Sequence, residues 1–428
     1  MDKIVISGLD EVIHHETLGN GLDIYIYKKE GFNKKTAHFV TKYGSNNYEF
    51  MKKGQSEFKE YPKGIAHFLE HKLFESKNEE NTFLEFQKFG AAVNAYTNHY
   101  ETCYYFSCFD NFNECLELLL DFVQTPYFTD ENTEKEKGII EQEIDMTNDR
   151  IDYLIYVKQL ENTLKNNPNR NTTIGDKESI RRITKEDLYD CYNTFYHPSN
   201  MMLVISGDVN IDEVMNLIKE NQNKKTFDNE NMIKLPSYKE EKEVVKEYEH
   251  IIKNVTSNRL SICYKMIFPK LEKKELYKYK LFLSMFVDMK FGATTNFEKK
   301  LIDNKIIKSN FSYEYMLFDD ILLLMFDADV LDKERFINIL DEYLKNNNFN
   351  KKIFDLNKKA FLASMVRSFD TPSYIARKIY SDIIKYNEIT NYSYEIMNNY
   401  KYDEFIKQLE ILNYDNKSIL YVTSSKEE

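Results

Sequence analysis

The segment Gly64-Ile-Ala-His-Phe-Leu-Glu-His-Lys-Leu-Phe-Glu75 places two of the chain's eight histidines four residues apart, with a glutamate directly before the second. On a helix of about 100° per residue, His67, Glu70 and His71 share one arc, and the two histidines lie about 40° apart. Ile65, Leu69 and Leu73 form the opposite stripe. Such a helix buries one side in a core and presents donor atoms on the other.

Zinc accepts imidazole and carboxylate donors, and a catalytic zinc site uses three protein ligands plus a water. His67 and His71 supply two. Glu70 sits too close to the pair to be the third, and is placed instead to take the proton of a water on the metal. H-x-x-E-H is the inverted counterpart of the H-E-x-x-H metallopeptidase helix. A third ligand must come from elsewhere. The stretch "TEKEKGIIEQEIDM" (133–146) offers Glu134, Glu136, Glu141 and Glu143 on one predicted helix. Glu136 and Glu143 are seven apart and share a face. The residues alone leave open which glutamate serves, and whether the acidic face is simply solvated.

The whole chain sets the frame. At 428 residues it is long enough for two or three domains, and 42% hydrophobic with 30% charged residues is a globular composition. The net charge of −12 argues against a nucleic-acid binder, which would carry a basic footprint. The start, Met1-Asp-Lys-Ile-Val-Ile, is unlike a signal peptide, and no run reaches the ~18 apolar residues of a membrane span. Five cysteines, odd in number and without a C-x-x-C pair, read as reduced thiols in a cytoplasmic protein.

Alternation predicts strands at Leu22–Lys28 and from Thr36 to Tyr43, then a strand pair at Ala92–Thr97 and Thr102–Phe109. Helical spacing marks Asn132 to Tyr156 and Thr184–Phe195. The polar stretch 222–242, with its lone Pro236, is the expected linker between an N-terminal domain (1–221) and a C-terminal domain (243–428). Beyond it, strands are expected near Glu243–Glu249 and Arg259–Ile267, with a further strand pair at Ser309–Tyr315 and Ile321–Ala328. The layout from Lys401, helix, aromatic turn, Asn and apolar strand, repeats that from Thr184. The expected class is α+β: two similar domains, each a largely antiparallel sheet with helices packed on one side.

"HFLEH", the Gly-Ala-x-x-Asn-Ala-Tyr-Thr stretch "GAAVNAYT" (90–97) and "EKEKGIIEQEI" (134–144) together resemble the pitrilysin/insulinase family of zinc metallopeptidases, which includes the mitochondrial processing peptidases. The resemblance covers essentially the whole chain, a catalytic N-terminal half and a divergent C-terminal half of similar fold. It implies one Zn2+ per chain, with Glu143 joining His67 and His71 as ligand, Glu136 behind the ligands and Glu70 as general base. It also implies that Asn94, Ala95 and Tyr96 lie on an edge strand to which an extended peptide adds. The implied substrate is a peptide or unfolded polypeptide segment taken into a closed chamber.

Many members of this family carry an Arg and a Tyr in the C-terminal half that hold the substrate carbonyl. Here Ile302 occupies the arginine position, and Lys308 or Ser309 the tyrosine position. Neither reproduces the planar donor fork of Arg. The departure implies a heterodimer in which a related subunit supplies the pair. The rival reading is a non-catalytic assembly subunit on the same scaffold, against which the intact H-x-x-E-H weighs.

Overall fold

Alternation at Asp23–Lys28 seeds the first sheet in the computed structural model, which describes residues 1–77, 81–227, 233–318 and 320–424. Ile24 and Ile26 point to one face, Tyr25 and Tyr27 to the other, and each set enters a different core. The strands are β1 (Asp2–Val5), β2 (Val12–Thr17), β3 (Asp23–Lys28), β4 (Lys35–Thr41), β5 (Glu49–Lys52), β6 (Lys59–Glu60), β7 (Ala92–Thr97), β8 (Thr102–Cys108) and β9 (Met201–Gly207). Seven of them form one sheet in the order β1-β2-β3-β9-β4-β8-β7, with β7 at its edge. Only β3 and β9 pair in parallel. The short strands β5 and β6 pair beside β10 (Ile233–Lys234) in a separate small sheet.

On one face of the large sheet, Ala37, Phe39, Tyr104, Phe106, Leu203 and Ile205 pack with residues of helices Ile65–Leu73, Phe112–Val123, Lys185–Phe195 and Ile211–Asn223. On the other, Val40, Cys103, Met202 and Val204 meet Ile375, Ala376, Ile379 and Tyr380 of helix Pro372–Tyr386.

The second sheet contains β11 (Tyr248–Lys253), β12 (Arg259–Ile267), β13 (Ile307–Leu317), β14 (Ile321–Val330) and β15 (Lys417–Ser424), in the order β11-β15-β12-β14-β13. Here too one pair, β11 with β15, is parallel and the rest are antiparallel. This repeats the path β3-β9-β4-β8-β7, strand for strand, so the duplication is one of topology. Helix Ile151–Thr163 covers one face, with Leu160 against Cys263, Leu323 and Met325, and Ile155 against Leu420 and Val422.

The chain divides into two units. One comprises Met1–Met146, Thr172–Ser237 and Val366–Tyr392; the other Thr147–Asn171, Tyr238–Met365 and Ser393–Glu428. The expected partition into 1–221 and 243–428 is therefore corrected. A change of unit does fall at Ser237/Tyr238, inside the expected linker, but each half also lends one helix to the other. The reason is burial: a sheet with its own helices on one face leaves apolar side chains on the second, and a borrowed amphipathic helix covers them. The single helix expected from Asn132 to Tyr156 is two, Asp130–Asn148 and Ile151–Thr163, because Arg150 takes an extended conformation directly before the second. The strand expected at Glu243–Glu249 runs instead from Tyr248 to Lys253.

Candidate metal centre

Helix Ile65–Leu73 begins at Gly64, whose φ of 87° suits glycine. A Cβ there would also lie 2.4 Å from the Ile174 carbonyl oxygen, so the backbone of Ile174 fixes where the helix starts. Ile65, Phe68, Leu69 and Leu73 are buried in the first core. Lys72 is fully buried as well. Its ammonium bonds Glu75 and, at 3.2 Å, the Asn132 carbonyl oxygen. That bond ties the helix to the first turn of Asp130–Asn148.

The second helix is mostly exposed and buries Thr133, Glu136, Ile140 and Ile144, a stripe at helical spacing. Its start is closed by reciprocal bonds between Thr129 and Asn132, at 2.9 and 3.1 Å. Farther along, the Arg181 guanidinium grips both oxygens of Glu141, at 2.7 and 3.0 Å.

These two helices bring His67, His71 and Glu143 together. One donor atom from each lies within 4.8 Å of the others. Nε2 of His67 is 3.7 Å from Glu143 Oε1, and Nε2 of His71 is 3.5 Å from Glu143 Oε2. Two imidazole nitrogens and a carboxylate are the donor set of a catalytic zinc site, and their convergence fits such an ion. His71 Nδ1 lies 2.9 Å from Glu136 Oε1, so this buried carboxylate can hold the ring proton at Nδ1 and leave the Nε2 lone pair facing Glu143. His67 lacks such an anchor: its Nδ1 is buried without a hydrogen-bond partner among the described residues.

Electrostatics separate the two rings. Burial, with a smaller push from His71, lowers the His67 pKa to about 3 and keeps it neutral, the state a metal ligand requires. Burial also pulls His71 down, but Glu136, with Glu70 and Glu143, outweighs it and raises the pKa. Glu70 is 8% exposed. Its carboxyl is held above the usual range chiefly by burial and also by Glu143, against the opposing effects of Thr97 and His71.

Thr97 is a contact that sequence reasoning missed. Its hydroxyl donates to Glu70 Oε2 at 2.7 Å. The signal was present in "NAYT": period two puts Thr97 on the face opposite Tyr96. Asn94, Ala95 and Tyr96 lie on β7, the edge strand. The Asn94 side chain accepts from the Ala95 N–H at 2.8 Å, and the Tyr96 side chain packs on the far face of the sheet.

Comparison with known proteins agrees with this architecture. Residues 51–177 match the family model described as "Insulinase (Peptidase family M16)", and residues 182–360 match "Peptidase M16 inactive domain". The protein named "Uncharacterized zinc protease YmfH" of Bacillus subtilis (strain 168) is 35% identical over 410 residues, 95% of this chain and 93% of its own. The chain belongs to the M16, or insulinase, family of peptidases. This M16 chain is also similar to the crystal structure of an M16-like peptidase from Alicyclobacillus acidocaldarius, with a TM-score of 0.90 and 31% identity over 98% of this chain and 100% of that one. The human mitochondrial-processing peptidase subunit beta is 29% identical over 160 residues, 36% of this chain and 33% of its own. Relatives named zinc protease imply a zinc cofactor for this member of the family. Among the described residues, no helix is long and apolar enough to cross a membrane.

Proposed function

We propose that this M16 chain is a zinc-dependent endopeptidase cleaving peptides or unfolded polypeptide segments, with His67, His71 and Glu143 holding one zinc ion. The observation that carries the reading is the convergence of three donor atoms within 4.8 Å, beside a buried carboxylate on the same helix as two of them. Bound there, zinc supplies Lewis-acid chemistry, acidifying a water and polarising the scissile carbonyl. Glu70 takes the proton of the attacking water and delivers it to the leaving amine nitrogen. Thr97 holds Oε2 of Glu70, which leaves Oε1 for that proton. Glu136 keeps the His71 proton at Nδ1.

The substrate runs along β7, with its main chain bonded to that of Asn94, Ala95 and Tyr96. Its position at the sheet edge supports this. An incoming carbonyl would displace the Asn94 side chain from the Ala95 N–H. Enclosure of the substrate in a chamber belongs to the same proposal, as does a cytoplasmic location.

A related subunit completes the enzyme. Ile302 is exposed on helix Phe297–Asp303, Lys308 and Ser309 open β13, and the Tyr315 hydroxyl is engaged by Ser284 at 2.7 Å. None of these offers an arginine fork. The likeness to processing-peptidase beta subunits supports a heterodimer.

The test is cleavage of a peptide library by the purified chain, alone and with a related M16 subunit, before and after chelation and with zinc restored. Chelator-sensitive cleavage that zinc rescues, and that the second subunit enhances, is the expected outcome. A fully zinc-loaded protein that cleaves nothing in either setting would favour the non-catalytic assembly subunit instead.

A further inference from the structure

An edge strand is held by its ladder on one side only, and among the described residues β7 pairs with β8 alone. A strand that receives a substrate must nonetheless be fixed to within about 0.5 Å for productive geometry. Two adjacent side chains give β7 further anchors, one on each face. Thr97 reaches Glu70 on the metal-centre face. Tyr96 reaches the opposite face, where its hydroxyl donates to Tyr380 Oη at 3.0 Å.

Tyr380 is fully buried on helix Pro372–Tyr386, beside the apolar Ile375, Ala376, Ile379 and Ile383. A phenyl ring would fill the same volume. What the hydroxyl adds is a partner for Tyr96, with the buried thiol of Cys103 and the Arg377 guanidinium as further polar neighbours. The Tyr96 hydroxyl has a second acceptor, Glu101 Oε1, at 3.4 Å. That oxygen also takes the Asn98 amide at 2.6 Å, and Asn98 Oδ1 accepts the N–H groups of Tyr100 and Glu101. The Arg377 guanidinium lies 5.8 Å from the centre of the Tyr96 ring, a cation–π distance. One continuous network therefore joins β7, its own hairpin turn and a helix from far along the chain.

We propose that Tyr380 is a positioning residue: through Tyr96 it fixes β7 against the sheet so that the Asn94–Tyr96 main chain is set for an incoming peptide. The proposal rests on the reading of β7 as the substrate strand. It is tested with Tyr380→Phe, Tyr96→Phe and the double variant in the zinc-loaded chain, with the partner subunit present if activity requires it. Hydrogen exchange of the 92–97 amides should quicken several-fold in each variant. Loss of one buried hydrogen bond should raise KM for peptide roughly three- to tenfold, with kcat within about twofold. The effect of the double variant should fall short of the sum of the two single effects, because both remove the Tyr96–Tyr380 bond. A merely structural role would lower the melting temperature without moving KM, and unchanged exchange or unchanged KM in Tyr380→Phe overturns the proposal. If the unsubstituted enzyme cleaves no peptide, the peptidase reading fails, while the exchange measurement still decides whether Tyr380 anchors the strand.

Discussion

The two sheets follow the same path, yet the helices that come next after β4 and β12 have opposite contents. After β4, helix Ile65–Leu73 buries His67, Glu70 and Lys72 among its apolar residues. After β12, helix Lys273–Phe291 buries Leu276, Leu281, Phe282, Leu283, Met285, Phe286, Val287, Met289 and Phe291. The Tyr277 hydroxyl finds Ser393 at 2.6 Å, and the Lys290 ammonium binds the Tyr343 and Asn346 carbonyl oxygens, where helix Lys333–Lys345 ends. In the second unit the polar groups on this helix serve packing. The layout therefore does not require histidine or glutamate at this place. Burying them opposes folding unless they are satisfied, so their explanation lies in chemistry.

The contrast breaks most sharply at the ligands. His71→Ala and Glu143→Gln should each lose the zinc and, with it, detectable peptide cleavage, while the second sheet stays folded. Metal analysis of the purified variants decides the matter. Full zinc occupancy in either one removes that residue from the ligand set.

A pair of substitutions, one per helix, sharpens it further. Glu70→Gln should keep zinc and lose a factor on the order of 10²–10⁴ in kcat, because an amide accepts no proton. Its melting temperature should not fall, since a neutral amide replaces a buried carboxylate whose pKa burial raises. Phe286→Ala, at a fully buried site, should do the reverse. It should lose about 3–5 kcal/mol of stability while zinc content and turnover per folded molecule remain. If both variants shifted stability and activity alike, the division of labour between the helices would be wrong.

How much of this could be read in advance follows from the range of the forces involved. The stripe Ile65, Leu69, Leu73 and the alternation at Asp23–Lys28 are local patterns, and both elements formed where periodicity placed them. The break at Asp149–Arg150 carries no proline or glycine, so nothing local announced it. The exchange of helices Ile151–Thr163 and Pro372–Tyr386 was hidden for another reason. An amphipathic stripe declares that a face is buried, but not which sheet will cover it. Among the site residues, the shared arc of His67, Glu70 and His71 was legible, and so was the common face of Glu136 and Glu143. The bonds from Thr97 to Glu70 and from Lys72 to the Asn132 carbonyl were not, because they depend on how separate elements meet.

The subtlest difference between the units concerns support behind a ligand, and Glu136 tests it. Its carboxylate can accept from His71 Nδ1–H at 2.9 Å, fixing the tautomer, and its charge makes the ring more basic. Glu136→Gln keeps an acceptor oxygen and removes the charge; Glu136→Ala removes both. Zinc affinity should therefore fall about tenfold in the first and toward 100-fold in the second, within the range typical of groups behind a ligand. The pH dependence gives an independent sign. Glu136, with Glu70 and Glu143, raises the His71 pKa against the effect of burial, so protons compete with metal for this ring from a higher pH than for an ordinary histidine. Without the Glu136 charge the His71 pKa falls, so in Glu136→Gln the acid decline of zinc affinity, taken relative to its plateau, should begin at lower pH even as the plateau itself weakens. Zinc titrations of the three proteins across the acid range measure both effects. A variant that binds zinc as tightly as the parent, with the same acid profile, would show that His71 needs no such support.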